Sequence, residues 1–62
     1  MKKYVMTLSE LRRYTRCELR TLYHLIVCEL ATYPEGSFDQ QIAQTNLRNI
    51  RQVLAIYDAA PH

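Results

Sequence analysis

LSELRRYTRCELRTLYHLIVCELATY, residues 8–33, decides the fold. Leu8, Leu11, Thr15, Leu19, Leu22, Ile26, Leu30 and Tyr33 step through it by 3, 4, 4, 3, 4, 4 and 3 residues. At 3.6 residues per turn that stepping holds one edge of an α-helix along its whole length. A strand would need alternation by two, which the stretch lacks. Such an edge must be covered, so a second element has to lie against it.

The start of this stretch is marked by Thr7-Leu8-Ser9-Glu10, a capping box with Thr7 as N-cap and Glu10 reaching back. Met6 and Leu11 sit where a hydrophobic staple places its two apolar residues. A second start signal, Thr15-Arg16-Cys17-Glu18, repeats the pattern eight residues later. It allows residues 8–14 to form a separate short helix with a bend near Tyr14. The unbroken apolar stepping favours a single helix through the junction instead, and its eleven-residue period favours a nearly straight or slightly right-handed pairing.

Downstream, Pro34 biases Tyr33 away from helical geometry, and Tyr33-Pro34-Glu35-Gly36 has Pro and Gly where a type I turn wants them. Ser37-Phe38-Asp39-Gln40 is a third capping box, with Asp39 favourable at the positive end of the helix dipole. The second long helix is predicted over about residues 38–59, ending at Pro61. Its apolar face gathers Phe38, Ile42, Ala43, Leu47, Ile50, Val53, Leu54 and Tyr57, with Asn46 near the centre. Gln41, Gln44, Arg48, Arg51 and Gln52 form its solvated side. The expected fold is therefore all-α. It is an antiparallel two-helix hairpin over residues 1–62, with a short extra N-terminal helix as a variant, dimerising into a four-helix bundle.

Composition supports this. Apolar residues are 48% and charged residues 23% of the 62, which excludes a disordered tail, and one Gly with two Pro is too little turn material for a many-stranded β fold. A chain this short buries only about 60% of its unfolded surface, so it is marginal alone and needs a staple or a partner. Cys17 and Cys28 are no staple. On one helix they stand roughly 16 Å apart, beyond disulfide reach, and read as free thiols of a reducing, cytoplasmic compartment. Leu25-Ile26-Val27-Cys28, the longest strongly apolar run, is too short to span a bilayer. The N-terminal stretch has no apolar signal-peptide region.

A partner enters through Leu25, Val27, Cys28 and Ala31, which point away from the main edge yet carry no charge. One helix cannot cover both sides, so a second copy is the expected occupant, ahead of a different protein or an uncovered patch on a monomer. Asn46 is a candidate register determinant at that interface, as buried Asn is in coiled coils, or else an Asn at a wet rim.

Net charge is +2, with +3 over residues 1–33 and −1 over residues 34–62. Arg12, Arg16, Arg20 and His24 follow at i, i+4 with Arg13 adjacent, a ridge able to touch nucleic-acid phosphates or merely to face solvent. His24 and Cys28 are also i, i+4, but two side chains fall short of a structural zinc site. There is no glycine-rich phosphate loop, paired carboxylate geometry or Ser-His-Asp set. No enzymatic activity, cofactor or metal is expected. The function expected is a small interaction module or regulator. A nucleic-acid-binding regulator using Arg12, Arg13, Arg16 and Arg20, or a co-chaperone shielding a partner helix, is the alternative.

In size and helix–turn–helix plan the chain resembles Rop-like bacterial hairpins that dimerise into four-helix bundles, and the small hairpin co-chaperones of type III secretion. The segment from Pro34-Glu35-Gly36-Ser37 to Asn49-Ile50-Arg51-Gln52-Val53-Leu54 is similar to short proteins of bacterial mobile elements. These resemblances are of architecture and style; they imply a bacterial interaction protein and assign no functional residue.

Overall fold

The computed structural model describes residues 4–59. Lys2, Lys3 and Pro61, used above for charge and for the helix end, lie outside them. The described chain is all-α: α1 is Leu8–Leu11, α2 is Arg16–Leu30 and α3 is Phe38–Ala59, with no strand among the described residues. α2 and α1 both pack on α3. The start of α2 lies beside the end of α3, where Arg16 Nε is 3.2 Å from Asp58 Oδ1. The result is elongated, 42 × 19 × 18 Å, because α3 alone runs 22 residues, about 33 Å of helix.

The single helix favoured over residues 8–33 is broken. α1 stops at Leu11, Arg13 and Tyr14 turn back through i→i−3 bonds of 3.2 and 3.1 Å, and Thr15 is extended at φ −74 and ψ 164. Both competing start signals are used. Thr7 accepts from the Glu10 N–H while Glu10 accepts from the Thr7 N–H, and Thr15 and Glu18 repeat the exchange. Each box satisfies two N–H groups that a helix start otherwise leaves without partners. The break also lets Leu11 turn into α3 and become fully buried, where a straight helix would carry it past the end of its neighbour. Its freed carbonyls are met from across the fold: the Tyr57 hydroxyl lies 2.9 Å from the Arg12 oxygen and 3.0 Å from the Tyr14 oxygen, sharing its proton between them. Leu8 and Thr15, placed on the continuous edge by their spacing, are exposed as a consequence.

The core lies where the three helices meet. Leu11, Leu19, Ile50 and Val53 are fully buried, with Ile26 and Ala43 extending the cluster toward the turn and Leu22, Leu30, Leu47, Leu54 and Tyr57 packed around it. Leu19, Leu22, Ile26 and Leu30 are the inward edge of α2 that the stepping identified. Phe38 is the exception on α3. It is the first residue of that helix and is 74% exposed, because it precedes the point where α3 meets its neighbours.

α2 ends in a tightened turn, with the Thr32 N–H 2.9 Å and its hydroxyl 2.7 Å from the Glu29 carbonyl. The reversal that follows is one residue later than expected. The Ser37 N–H donates to the Pro34 carbonyl at 3.1 Å, so the turn is Pro34-Glu35-Gly36-Ser37. Gly36 takes φ +79 at its third position and no other described residue has positive φ, which makes it type II rather than type I. The Ser37 box is correspondingly altered: Ser37 Oγ accepts from the Gln40 N–H at 3.1 Å, but Gln40 Oε1 reaches back to the Gly36 N–H at 2.7 Å.

Candidate functional site

α2 turns its inward edge to α3 through Leu19 and Ile26, so the opposite side of the same helix faces outward. Cys28 follows Leu19 by nine residues, two and a half turns, and therefore stands diametrically opposite it. Cys17, Thr21 and Leu25 share that outer side, and Val27 and Ala31 lie on its flank; all are exposed. Leu25 is 59% and Val27 41% exposed. Of the residues predicted to meet a partner, Cys28 stands on the outer side, Leu25 lies toward one flank of it, and Val27 and Ala31 lie toward the other.

Asn46 is not on that surface. It is buried on α3 beneath the extended segment 4–7, where its Oδ1 accepts from the Met6 N–H at 2.7 Å and its Nδ2 donates to the Tyr4 carbonyl at 3.0 Å. Asn49, one turn on, donates from Nδ2 to the Met6 carbonyl at 2.9 Å. The two amides read the backbone of the N-terminal segment as a neighbouring strand would, meeting polar groups that the half-buried Met6 could not leave unpaired without cost. The i, i+3 pair of Asn on an otherwise apolar face was the signal for this strap, and reading Asn46 alone missed it.

The strapped segment forms one wall of an apolar cleft of about 230 Å³, lined by Met6, Leu22, Ile26, Ile42 and Ala43 with Glu29 and Asp39 at its edge. Beside it Tyr4, Val5 and Phe38 border a shallower depression. Phe38 was assigned to the core by its spacing, so this second apolar area was not anticipated.

The basic ridge is interrupted. Arg12 caps the end of α1, Arg13 lies in the break, and only Arg16, Arg20 and His24 follow one another on α2. All four arginines are exposed. Arg16 is committed to α3: besides its pairing with Asp58, its Nη2 donates to the Tyr57 carbonyl at 3.1 Å. The His24 ring meets the Tyr23 ring edge to face at 6.2 Å. No group of three His, Cys, Asp or Glu able to hold a metal occurs among the described residues, and no helix there is long and apolar enough to cross a membrane.

No protein-family model, no curated protein and no solved structure matches the chain.

Proposed function

We propose that this chain is a small, non-enzymatic protein–protein interaction module of the bacterial cytoplasm that works as a homodimer. In this reading α2 and α3 form an antiparallel hairpin, and the outer faces of two copies of α2 meet to complete a four-helix bundle. The supporting observation is that Leu25, Val27 and Cys28 on α2 and Ala31 at its end are all exposed, spread around the helix away from its buried Leu19 and Ile26 edge. Fully burying one Leu or Val contributes about 1.5–3 kcal/mol, so covering several is a large gain for a domain with so small a core. On α3, Gln41, Gln44, Arg48, Arg51 and Gln52 face water, and Phe38 and Ile56 are exposed as well.

Sedimentation equilibrium tests the reading. The expected mass is twice the 7.3 kDa of one chain, falling to one chain for Val27→Asp with Leu25→Glu. A single-chain mass for the unaltered protein, or an undiminished dimer in the double variant, counts against it. The competing function, phosphate contact by Arg12, Arg13, Arg16 and Arg20, is separated by salt. Nucleic-acid binding weakens steeply as salt rises, whereas apolar association does not. Arg13→Glu with Arg20→Glu removes that binding while leaving the Arg16–Asp58 contact in place.

A further inference from the structure

We propose that the cleft between α2, α3 and the N-terminal strap binds a small organic cation, a primary ammonium joined to a single ring or a short alkyl chain. The cleft lies on the inward side of α2, away from its outer face, so the proposal does not depend on the homodimer reading.

Position and size come first. On α2 the lining runs through Leu22, Ile26 and Glu29, and on α3 through Asp39, Ile42 and Ala43. Each set is one stripe at helical spacing. Glu29 and Asp39 flank the turn closed by the Ser37 to Pro34 hydrogen bond, so the two carboxylates belong to the same end of the cleft and the other end is apolar. The hollow is about 230 Å³, with Ala43 the smallest side chain in its wall. That exceeds the roughly 150 Å³ that holds benzene in an engineered protein core. It falls short of the roughly 300 Å³ at which drug-sized pockets begin. The body of the ligand is therefore one ring or a few methylenes. Seven residues of helix from Leu22 to Glu29 cover about 10 Å, which sets the distance from its apolar end to its charged head.

Charge selects the head. Residues 21–47 hold Glu29, Glu35 and Asp39 but no Lys or Arg, although the whole chain has a net charge of +2. Glu29 is also set against its own helix. It stands in the last turn of α2, which has no basic residue, and a carboxylate there meets the negative end of the helix dipole. It is half-buried beside apolar walls, where a cation is attracted more strongly than in open water. No Lys, Arg or His is among the described residues that line the cleft, whereas Tyr4 and Tyr33 are, and aromatic rings attract organic ammonium ions. An ammonium with an apolar body answers both the walls and the carboxylates. An anion of the same shape is repelled, and a neutral one leaves the charge unanswered.

Titration of the full chain with phenylbutylamine, an ammonium ion at neutral pH, tests this by NMR, beside phenylbutanol and phenylbutyrate as neutral and anionic bodies of similar size. The amine is expected to shift the methyl signals of Ile26, Ile42 and Ala43 and to saturate at low millimolar concentration. The alcohol is expected to bind on the order of fivefold more weakly and the acid not at all. Glu29→Gln keeps the shape of the side chain and removes its charge. It is expected to bring the amine down to the affinity of the alcohol and to leave the alcohol unchanged. Added salt is expected to narrow the gap between amine and alcohol in the unaltered chain. Equal affinity for the two, as when Lys2 or Lys3 already answers the carboxylates, overturns the proposal. So does amine binding indifferent to Glu29→Gln, and so do shifts that never saturate or that scatter to Leu25, Val27 and Phe38. If circular dichroism shows Glu29→Gln misfolded, the three-ligand comparison on the unaltered chain decides alone. Sedimentation of the chain without ligand tests the homodimer reading separately, so either can fail without the other.

Discussion

Asn46 is the residue on which the N-terminal segment depends. Its amide has one acceptor and one donor turned toward backbone groups of Met6 and Tyr4, and both bonds are partly buried. Asn46→Ala is expected to lower stability by about 1–3 kcal/mol, the cost of leaving such groups without partners. The loss reads as a lower urea midpoint together with faster hydrogen exchange at the Met6 amide. Asn46→Asp keeps the acceptor for Met6 but sets an oxygen against the Tyr4 carbonyl, so it too is expected to release the segment. Gly36 is the second position where one residue decides local geometry. A Cβ there meets nothing within 4 Å, so Gly36→Ala is penalised through its left-handed φ alone, by about 1–2 kcal/mol. Gly36→Asn, which tolerates that conformation, is expected to cost less, and thermal melts of the two variants rank them.

At the scale of elements, the break between α1 and α2 is held by local caps and by one long-range contact. Thr15→Ala removes the side chain that accepts from the Glu18 N–H, with an expected loss of about 0.5–2 kcal/mol. Tyr57→Phe removes the proton shared by the Arg12 and Tyr14 carbonyls, with an expected loss of about 0.5–1.5 kcal/mol. Because both act at one junction, a double-mutant cycle measured by urea unfolding is expected to show them coupled rather than additive. Additive losses would mean that the cap and the tyrosine support the break independently. The Arg16–Asp58 pair is different in kind. Both side chains are well over a third exposed, so Asp58→Asn is expected to change stability by less than about 1 kcal/mol.

For the whole molecule, the fully buried cluster of Leu11, Leu19, Ile50 and Val53 joins all three helices, and no single pair of elements holds it. Leu19→Ala is expected to cost about 2–5 kcal/mol, a large fraction of the stability available to so small a domain. Its far-ultraviolet helical signal is expected to collapse at a markedly lower temperature. The stepping of Leu19, Leu22, Ile26 and Leu30, the capping boxes at Thr7 and Thr15, and the Pro34–Gly36 reversal made the helical class, the helix faces and the bounds of α3 legible in the chain, because each is set within one or two turns of backbone. So were the outward positions of Leu25, Val27, Cys28 and Ala31. The choice between one helix and two across Arg12–Thr15 was not local. The apolar spacing favours continuity and the second capping box favours a break, and burial of Leu11 against α3 with Tyr57 on the open carbonyls tips the balance. Asn46 likewise carries the same spacing whether it faces a partner or its own N-terminus. Only the folded chain, by laying Tyr4–Met6 across α3, gave its amide backbone partners forty and forty-two residues away in sequence.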